Sequence, residues 1–204
     1  MRRTKADAEQ TRSQILEAAR RVFAERGVAR TSLEQVATAA GLTRGAIYWH
    51  FANKTELFYA MRDQVSLPLF DRMGAALLGE DLEDPLKAVE DSMLEILRGL
   101  EGDAPVRETF GIISLKCEYV GEFTAVLARI LQSAGEWTDK LARSYACARR
   151  RGLLRPGAEP ELLALESQAF MFGLVRLWLM DAAGTSVRPR ARDMVHAHVE
   201  LRRA

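Results

Sequence analysis

The stretch SLEQVATAAGLTRGAIYWHFANK, Ser32 to Lys54, holds two short helical periods with a glycine between them. Ser32-Leu33-Glu34-Gln35 fits a capping box, in which the serine hydroxyl takes the N–H three residues on and the glutamine reaches back. The helix so opened would bury Leu33, Val36, Ala37 and Ala40 and end at Gly41, and Thr43 can cap a further helix through His50. Two helices that cross steeply need a small residue at the crossing, supplied by Ala37. They also need a residue free to turn left-handed at the corner, supplied by Gly41. Ile47 and Phe51, at i and i+4, face inward as anchors, which turns Arg44 with Tyr48 and Gly45 with Trp49 outward. The predicted unit is a helix-turn-helix.

An aromatic pair on the outside of a short helix is unfavourable unless a partner covers it. A DNA major groove offers thymine methyls and sugar surface to such rings. Arg44 suits a guanine edge or a phosphate, Gly45 lets backbone approach DNA, Thr43 with the helix N-terminus suits a phosphate, and Lys54 adds another phosphate contact. Other readings stay open on the residues alone. One of Tyr48, Trp49 and His50 is expected to pack inside, since consecutive residues cannot share one helix face. Arg44 and Lys54 taken singly would be solvated charges, and the same face could grip another protein in a helical protein-interaction module.

Helical periodicity continues on both sides, without the period-two alternation of a sheet, so the predicted fold is all-α. Upstream, a helix from about Thr11 to Arg26 carries Ile15, Ala19, Val22 and Phe23 on one face, with Gly27 as its stop. Downstream, Asn53 and Glu56 open a helix to about Arg72, and Pro85 and Pro105 open helices to Leu100 and Tyr119. A long helix covers Glu122 to Arg151 with Gly152 after it. Pro160 opens the next, to about Ala183, and the last follows Pro189 through Arg202. Connectors are expected at Gly79 to Asp84, Glu101 to Ala104 and Gly184 to Pro189. The reading divides the chain into an N-terminal head, residues 1–54, and a helical bundle, residues 55–204.

The net charge of +1 hides an asymmetry. Ten of the 29 basic and five of the 28 acidic residues fall within the first 54, which leaves the head at +5 and the remainder at −4. A polyanion would sit on the basic end. Arg2 to Lys5 reads equally as an arm reaching phosphates or as a frayed terminus. The basic start lacks an apolar stretch of the secretory kind, and even the apolar run Phe170 to Met180 is broken by Gly173 and Arg176. The expectation is a cytoplasmic protein with no membrane role. Cys117 and Cys147 lack metal or redox spacing and read as reduced core residues. Of the three histidines, His196 and His198 stand at i and i+2 and cannot face one metal. With no phosphate loop or catalytic triad pattern either, no enzyme, cofactor or metal is expected.

The runs Thr31-Ser32-Leu33-Glu34-Gln35-Val36-Ala37 and Leu42-Thr43-Arg44-Gly45-Ala46-Ile47-Tyr48-Trp49-His50-Phe51, followed by Asn53-Lys54, resemble the TetR family of bacterial repressors. Thr43 to Phe51 resembles most the AcrR/TtgR type that controls multidrug efflux pumps. Asp84-Pro85, Lys116-Cys117-Glu118, Arg150-Arg151-Gly152 and Gly173-Leu174 with Arg176 and Trp178 are similar in spacing. The resemblance implies DNA contacts from Thr31, Ser32, Thr43, Arg44, Gly45, Tyr48, Trp49, His50 and Lys54. It also implies a homodimer made by the last two helices, a palindromic double-stranded operator and a small hydrophobic or aromatic inducer. Control of a catabolic or lipid gene is the alternative within the family.

From Glu161 to Met180 the helix is apolar nearly all round, with Leu162, Leu165, Ala169, Phe172 and Val175 assigned to one side and Phe170, Leu174, Leu177 and Trp178 to another. Two such faces call for the body's own core and a symmetry mate. Candidates for an inducer pocket are Met93, Ile96, Phe110, Ile113, Ser114, Trp137, Leu141, Gln168, Met171, Phe172, Val175 and Arg176, with Ser114, Gln168 and Arg176 as its polar members. Phe110 and Trp137 are bulky for a roomy cavity, which suggests a reduced pocket or one shaped for flat aromatics. The helix after Asn53 is the expected lever between ligand and head.

Overall fold

The structure is a computed structural model that describes residues 5–77 and 83–204. Of the expected arm Arg2 to Lys5, residues 2–4 lie outside the described residues, as do residues 79–82 of the expected connector Gly79 to Asp84. The helices run α1 (Lys5–Arg26), α2 (Leu33–Ala39), α3 (Arg44–His50), α4 (Lys54–Leu77), α5 (Pro85–Gly102), α6 (Ala104–Gly111), α7 (Thr124–Arg150), α8 (Pro160–Met180) and α9 (Ala191–Glu200). A π-helical turn covers Ile112–Lys116 and a 3-10 turn Gly121–Phe123. No strand occurs among the described residues, only an isolated bridge between Leu154 and Arg203.

The chain forms two compact units, the first from residues up to Ser66 with Ala104–Ala128, the second from Leu67–Asp103 with Arg129–Ala204. The first unit takes in residues beyond Lys54, and the segment after Asp103 returns to close the head. The Lys116 carbonyl accepts the Val28 N–H at 3.0 Å. Phe123 meets Phe58 edge to face at 5.4 Å, and Phe58 lies 6.1 Å from Phe23 of α1. Ile15, Ala19, Val22 and Phe23 are all buried, as their spacing requires. At the C-terminal end of the predicted helix over 105–119, α winding stops at Gly111 and continues as the π turn, with Cys117 already extended. The Tyr119 hydroxyl donates to the Ile113 carbonyl at 2.7 Å and so satisfies one carbonyl of that wider turn.

In the second unit Asp84 caps α5, accepting the N–H groups of Leu86 and Lys87 and the Arg203 guanidinium. Buried Trp137 donates to Ser92 at 3.0 Å. A polar chain links three helices: the Tyr145 and Ser167 hydroxyls lie 2.8 Å apart, and Ser167 is 3.0 Å from His198 Nε2. Phe170 stacks on the imidazole at 4.0 Å. Asp181 gathers the N–H groups of residues 185–188, which fixes the turn after α8.

The expected absence of a membrane-length apolar helix is corrected. Pro160–Met180 is long and apolar enough to cross a bilayer by length and composition, as the one such helix among the described residues. Its inward face accounts for part of that: Leu163, Ala164, Ser167, Met171, Leu174, Val175 and Trp178 are buried. Leu162, Leu165, Phe172, Leu177 and Met180 are exposed. Val175 thus belongs to the inner face and Leu177 to the outer, the reverse of the sequence assignment. At 100° per residue, position 177 lies about 60° from 162 and position 175 about 140° from it.

Burial, followed by the nearby Arg202 charge, pulls the His198 pKa from 6.5 down to about 4. The unfolded chain then binds more protons than the folded one across that window, so stability is full above pH 6.5 and falls as pH drops toward 4. Urea midpoints at fixed protein concentration should decline between pH 7 and 5, and the decline should be smaller in His198→Gln. An equal decline in that variant would remove His198 as the cause.

Candidate nucleic-acid interface

Ser32 accepts the Gln35 N–H at 3.3 Å while the Gln35 side chain accepts the Ser32 N–H at 2.9 Å, so the capping box forms as read. Gly41 takes φ +68°, a left-handed conformation costly to any residue with a Cβ. Ala40 is the C-cap and only half-buried, unlike the other residues assigned to that face. The Thr43 hydroxyl then caps α3 through the Ala46 N–H at 3.3 Å.

Seven residues leave α3 little helical stability of its own, so its orientation comes from packing. Ile47 is 0% exposed and Phe51 1%, while Trp49 is 71% exposed and Tyr48 42%. Arg44 and Gly45 are exposed beside them, as is Ser32 on the neighbouring cap. His50 is half-buried, the partly inward member of the aromatic trio, and Trp49 meets it edge-on at 4.5 Å.

Glu34 is a member of this surface that sequence reading saw only as part of the capping box. Its carboxylate accepts the Tyr48 hydroxyl at 2.9 Å and lies 3.3 Å from Arg44 Nε, and the Arg44 guanidinium sits 5.5 Å from the Tyr48 ring centre. Hydrogen bonds from its own backbone, Tyr48 and Ser32 hold the Glu34 carboxyl below its ordinary value. One acid on α2 thereby sets the rotamers of two outward side chains on α3. The only signal in the sequence was a carboxylate at the second position of α2, where solvent would ordinarily take it.

Two expected contact residues sit differently from the rest. Thr31 is buried, its hydroxyl donating to the Gly27 carbonyl at 2.8 Å, so it shapes the approach to α2 from inside. Lys54 donates to the Ala29 carbonyl at 3.4 Å, lies 3.7 Å from Glu122 and sits over the Phe123 ring. Its ammonium ties the head to the returning segment, a role that the spacing Asn53-Lys54 could not reveal because Glu122 is remote in sequence.

The candidate ligand residues divide between the units. In the first, Phe110, Ile113 and Ser114 are half-buried around the end of α6 and the π turn. In the second, Met93, Ile96, Trp137, Leu141, Met171 and Val175 are buried and Gln168 is half-buried. Phe172 and Arg176 fall on the outward side of α8 with Leu162 and Leu165, at helical spacing from them, and so do not join that interior. Among the described residues no cluster of His, Cys, Asp and Glu could hold a metal. Cys117 and Cys147 are free thiols, and burial pushes Cys117 up to about 11.

Residues 15–61 match the family of bacterial regulatory proteins of the tetR type, and residues 84–203 match the C-terminal region of MAATS-type transcriptional repressors. The chain belongs to the TetR family of transcriptional regulators. It is 38% identical over 180 residues to the HTH-type transcriptional regulator TtgR of Pseudomonas putida, covering 88% of this chain and 85% of TtgR. The crystal structure of native NalD, the secondary repressor of the MexAB-OprM multidrug efflux pump in Pseudomonas aeruginosa, superposes with a TM-score of 0.85. The two are 33% identical, over 97% of this chain and 98% of NalD. SmeT, the repressor of the Stenotrophomonas maltophilia multidrug efflux pump SmeDEF, gives a TM-score of 0.77 at 27% identity, over 95% of this chain and 90% of its own. SmeT is also known in complex with triclosan. As a TetR-family regulator the protein has its helix-turn-helix in α2 and α3.

Removing the Glu34 carboxylate frees Arg44 and Tyr48 and deletes a negative charge beside them. In fluorescence anisotropy, Glu34→Ala should bind random duplex severalfold more tightly and show a smaller ratio of operator to random affinity. An unchanged ratio would mean that Glu34 does not position the two side chains for recognition.

Proposed function

We propose that this regulator is a homodimeric, ligand-responsive repressor of a multidrug efflux operon, binding a palindromic operator and leaving it when a small hydrophobic or aromatic inducer binds. The observation that carries the reading is the solvent-exposed ridge of Arg44, Tyr48 and Trp49 on a helix anchored by Ile47. A water-facing indole and phenol are explained by a groove that covers them. Ser32, Thr43, Arg44, Gly45, Tyr48, Trp49 and His50 are the proposed DNA contacts, with Thr31 and Lys54 supporting them from within. Efflux control is favoured because the relatives TtgR, NalD and SmeT match this chain over 88%, 97% and 95% of its length, at 38%, 33% and 27% identity. NalD and SmeT are repressors of such pumps.

The exposed leucines and Phe172 of α8, with Met194 and Leu201 at the C-terminal end, form an apolar surface that a second copy would cover. Dimerisation suits the task, since two heads about 34–36 Å apart fit successive major grooves. Residues 1–54 would read DNA and 55–204 would sense and dimerise, in the cytoplasm. The apolar side chains of α5, α7 and the inner face of α8, with Gln168, are the proposed ligand residues of the second unit. Phe110, Ile113 and Ser114 are those of the first. Induction requires an inducer that binds the DNA-competent state less tightly than the released state, with α4, which contributes residues to both units, as the lever.

A gel shift on the DNA upstream of this gene and its neighbour, with and without a panel of hydrophobic drugs, tests operator, target and inducer class together. Binding should be specific over random competitor and fall steeply with salt. Tyr48→Ala should cost about 1–3 kcal/mol of operator affinity, and at least one drug should release the complex. Absence of any preference for promoter DNA at moderate ionic strength would overturn the reading.

A further inference from the structure

Arg62 of α4 is a charged side chain in an interior, only 5% exposed. Its Nε and Nη2 both donate to Asp63 Oδ1, at 2.8 and 2.5 Å, and its guanidinium carbon lies 5.7 Å from the centre of the Tyr59 ring. Nη1 is buried and has no hydrogen-bond partner. A buried guanidinium N–H without an acceptor costs the full desolvation of that group, so it calls for an explanation, and a bound acceptor atom is one. The setting fits a binding role. The Arg62 charge is felt at the phenol of Tyr119, whose hydroxyl is spent on the Ile113 carbonyl of the π turn. A π turn inside a helix is itself a frequent mark of a functional site. That turn carries Ser114, one of the polar residues expected to meet a ligand.

We propose that Arg62 Nη1 is the hydrogen-bond donor that recognises an acceptor oxygen on a neutral, flat aromatic inducer. The inference rests on the inducer-responsive reading above and specifies the class of ligand. Neutrality follows from the ion pair. Asp63 already balances the guanidinium, so a second carboxylate would add an unbalanced negative charge beside a buried one, whereas a carbonyl, ether or nitro oxygen satisfies Nη1 without adding charge. Aromaticity follows from the Arg62 guanidinium, a planar group that already faces the Tyr59 ring and can stack in turn on an aromatic ligand. The position was illegible in the sequence, where Met61-Arg62-Asp63 reads as an ordinary solvated pair on a helix.

The test uses three probes of one shape on the full-length protein: 2-acetylnaphthalene, 2-ethylnaphthalene and 2-naphthoate, with affinities from equilibrium dialysis and operator release from anisotropy. The wild type should bind the ketone about tenfold more tightly than the hydrocarbon, equivalent to about 1.4 kcal/mol, and the naphthoate more weakly than the ketone. Arg62→Leu should bind ketone and hydrocarbon alike, with the hydrocarbon affinity kept. Arg62→Lys retains the charge but lacks the guanidinium fork that holds Asp63 through Nε and Nη2 while Nη1 points elsewhere, and should also lose most of the ketone preference, so the proposal remains testable if the leucine variant fails to fold. A ketone preference that survives in either folded variant, a wild type with no preference, or tightest binding of naphthoate each overturns the assignment. The wider reading fails separately: if no upstream DNA is bound, the repressor assignment falls while dialysis still decides Arg62. If the hydrocarbon releases the operator as well as the ketone does, the repressor stands and the Arg62 assignment falls.

Discussion

Ile47 is the side chain on which the arrangement of the head depends. A seven-residue helix cannot hold its own orientation, so α3 points where its one fully buried residue lets it point. With Ile47 and Phe51 buried, helical geometry leaves Arg44, Tyr48 and Trp49 no choice but the outside. Ala37 is buried at the crossing and Gly41 turns left-handed at the corner, and together they set the angle at which that ridge is offered. The outward-facing chemistry of α3 is therefore a consequence of core packing, and Glu34 then trims it by holding the Tyr48 hydroxyl and the Arg44 guanidinium.

The second unit shows the same economy in an apolar setting. α8 buries Leu163, Met171, Leu174 and Trp178 inward and leaves a row of leucines with Phe172 outward, which gives the helix a composition suited to a membrane. Inside, Tyr145, Ser167 and His198 form a polar chain in which each group is hydrogen-bonded to the next. Burial keeps that histidine neutral near neutral pH and makes the network sensitive to acid.

Features governed by local rules were legible in the sequence. The capping box at Ser32, the left-handed Gly41, the inward pair Ile47 and Phe51 and the proline and glycine helix limits all follow from contacts within a few residues, and all stand in the structure. What depended on remote partners was not legible. Lys54 looked free for phosphate because Glu122 and Phe123 are far along the chain. The π turn arose where a plain helix was expected, since periodicity does not register one extra residue per turn. Val175 and Leu177 exchange faces, although Arg176 stands between them, because apolar side chains line both sides of α8 and hydrophobicity alone does not separate its inner face from its outer one.

The central claim, that the ridge on α3 is covered by duplex DNA, can be read from tryptophan accessibility. The chain has three tryptophans, of which Trp137 is 8% exposed, Trp178 3% and Trp49 71%. Acrylamide quenching of the free protein at constant ionic strength should therefore be dominated by Trp49. Addition of duplex from the upstream region should suppress that quenching, with random duplex suppressing it far less. Equal quenching with and without the upstream duplex, under conditions where anisotropy shows it bound, would contradict the account.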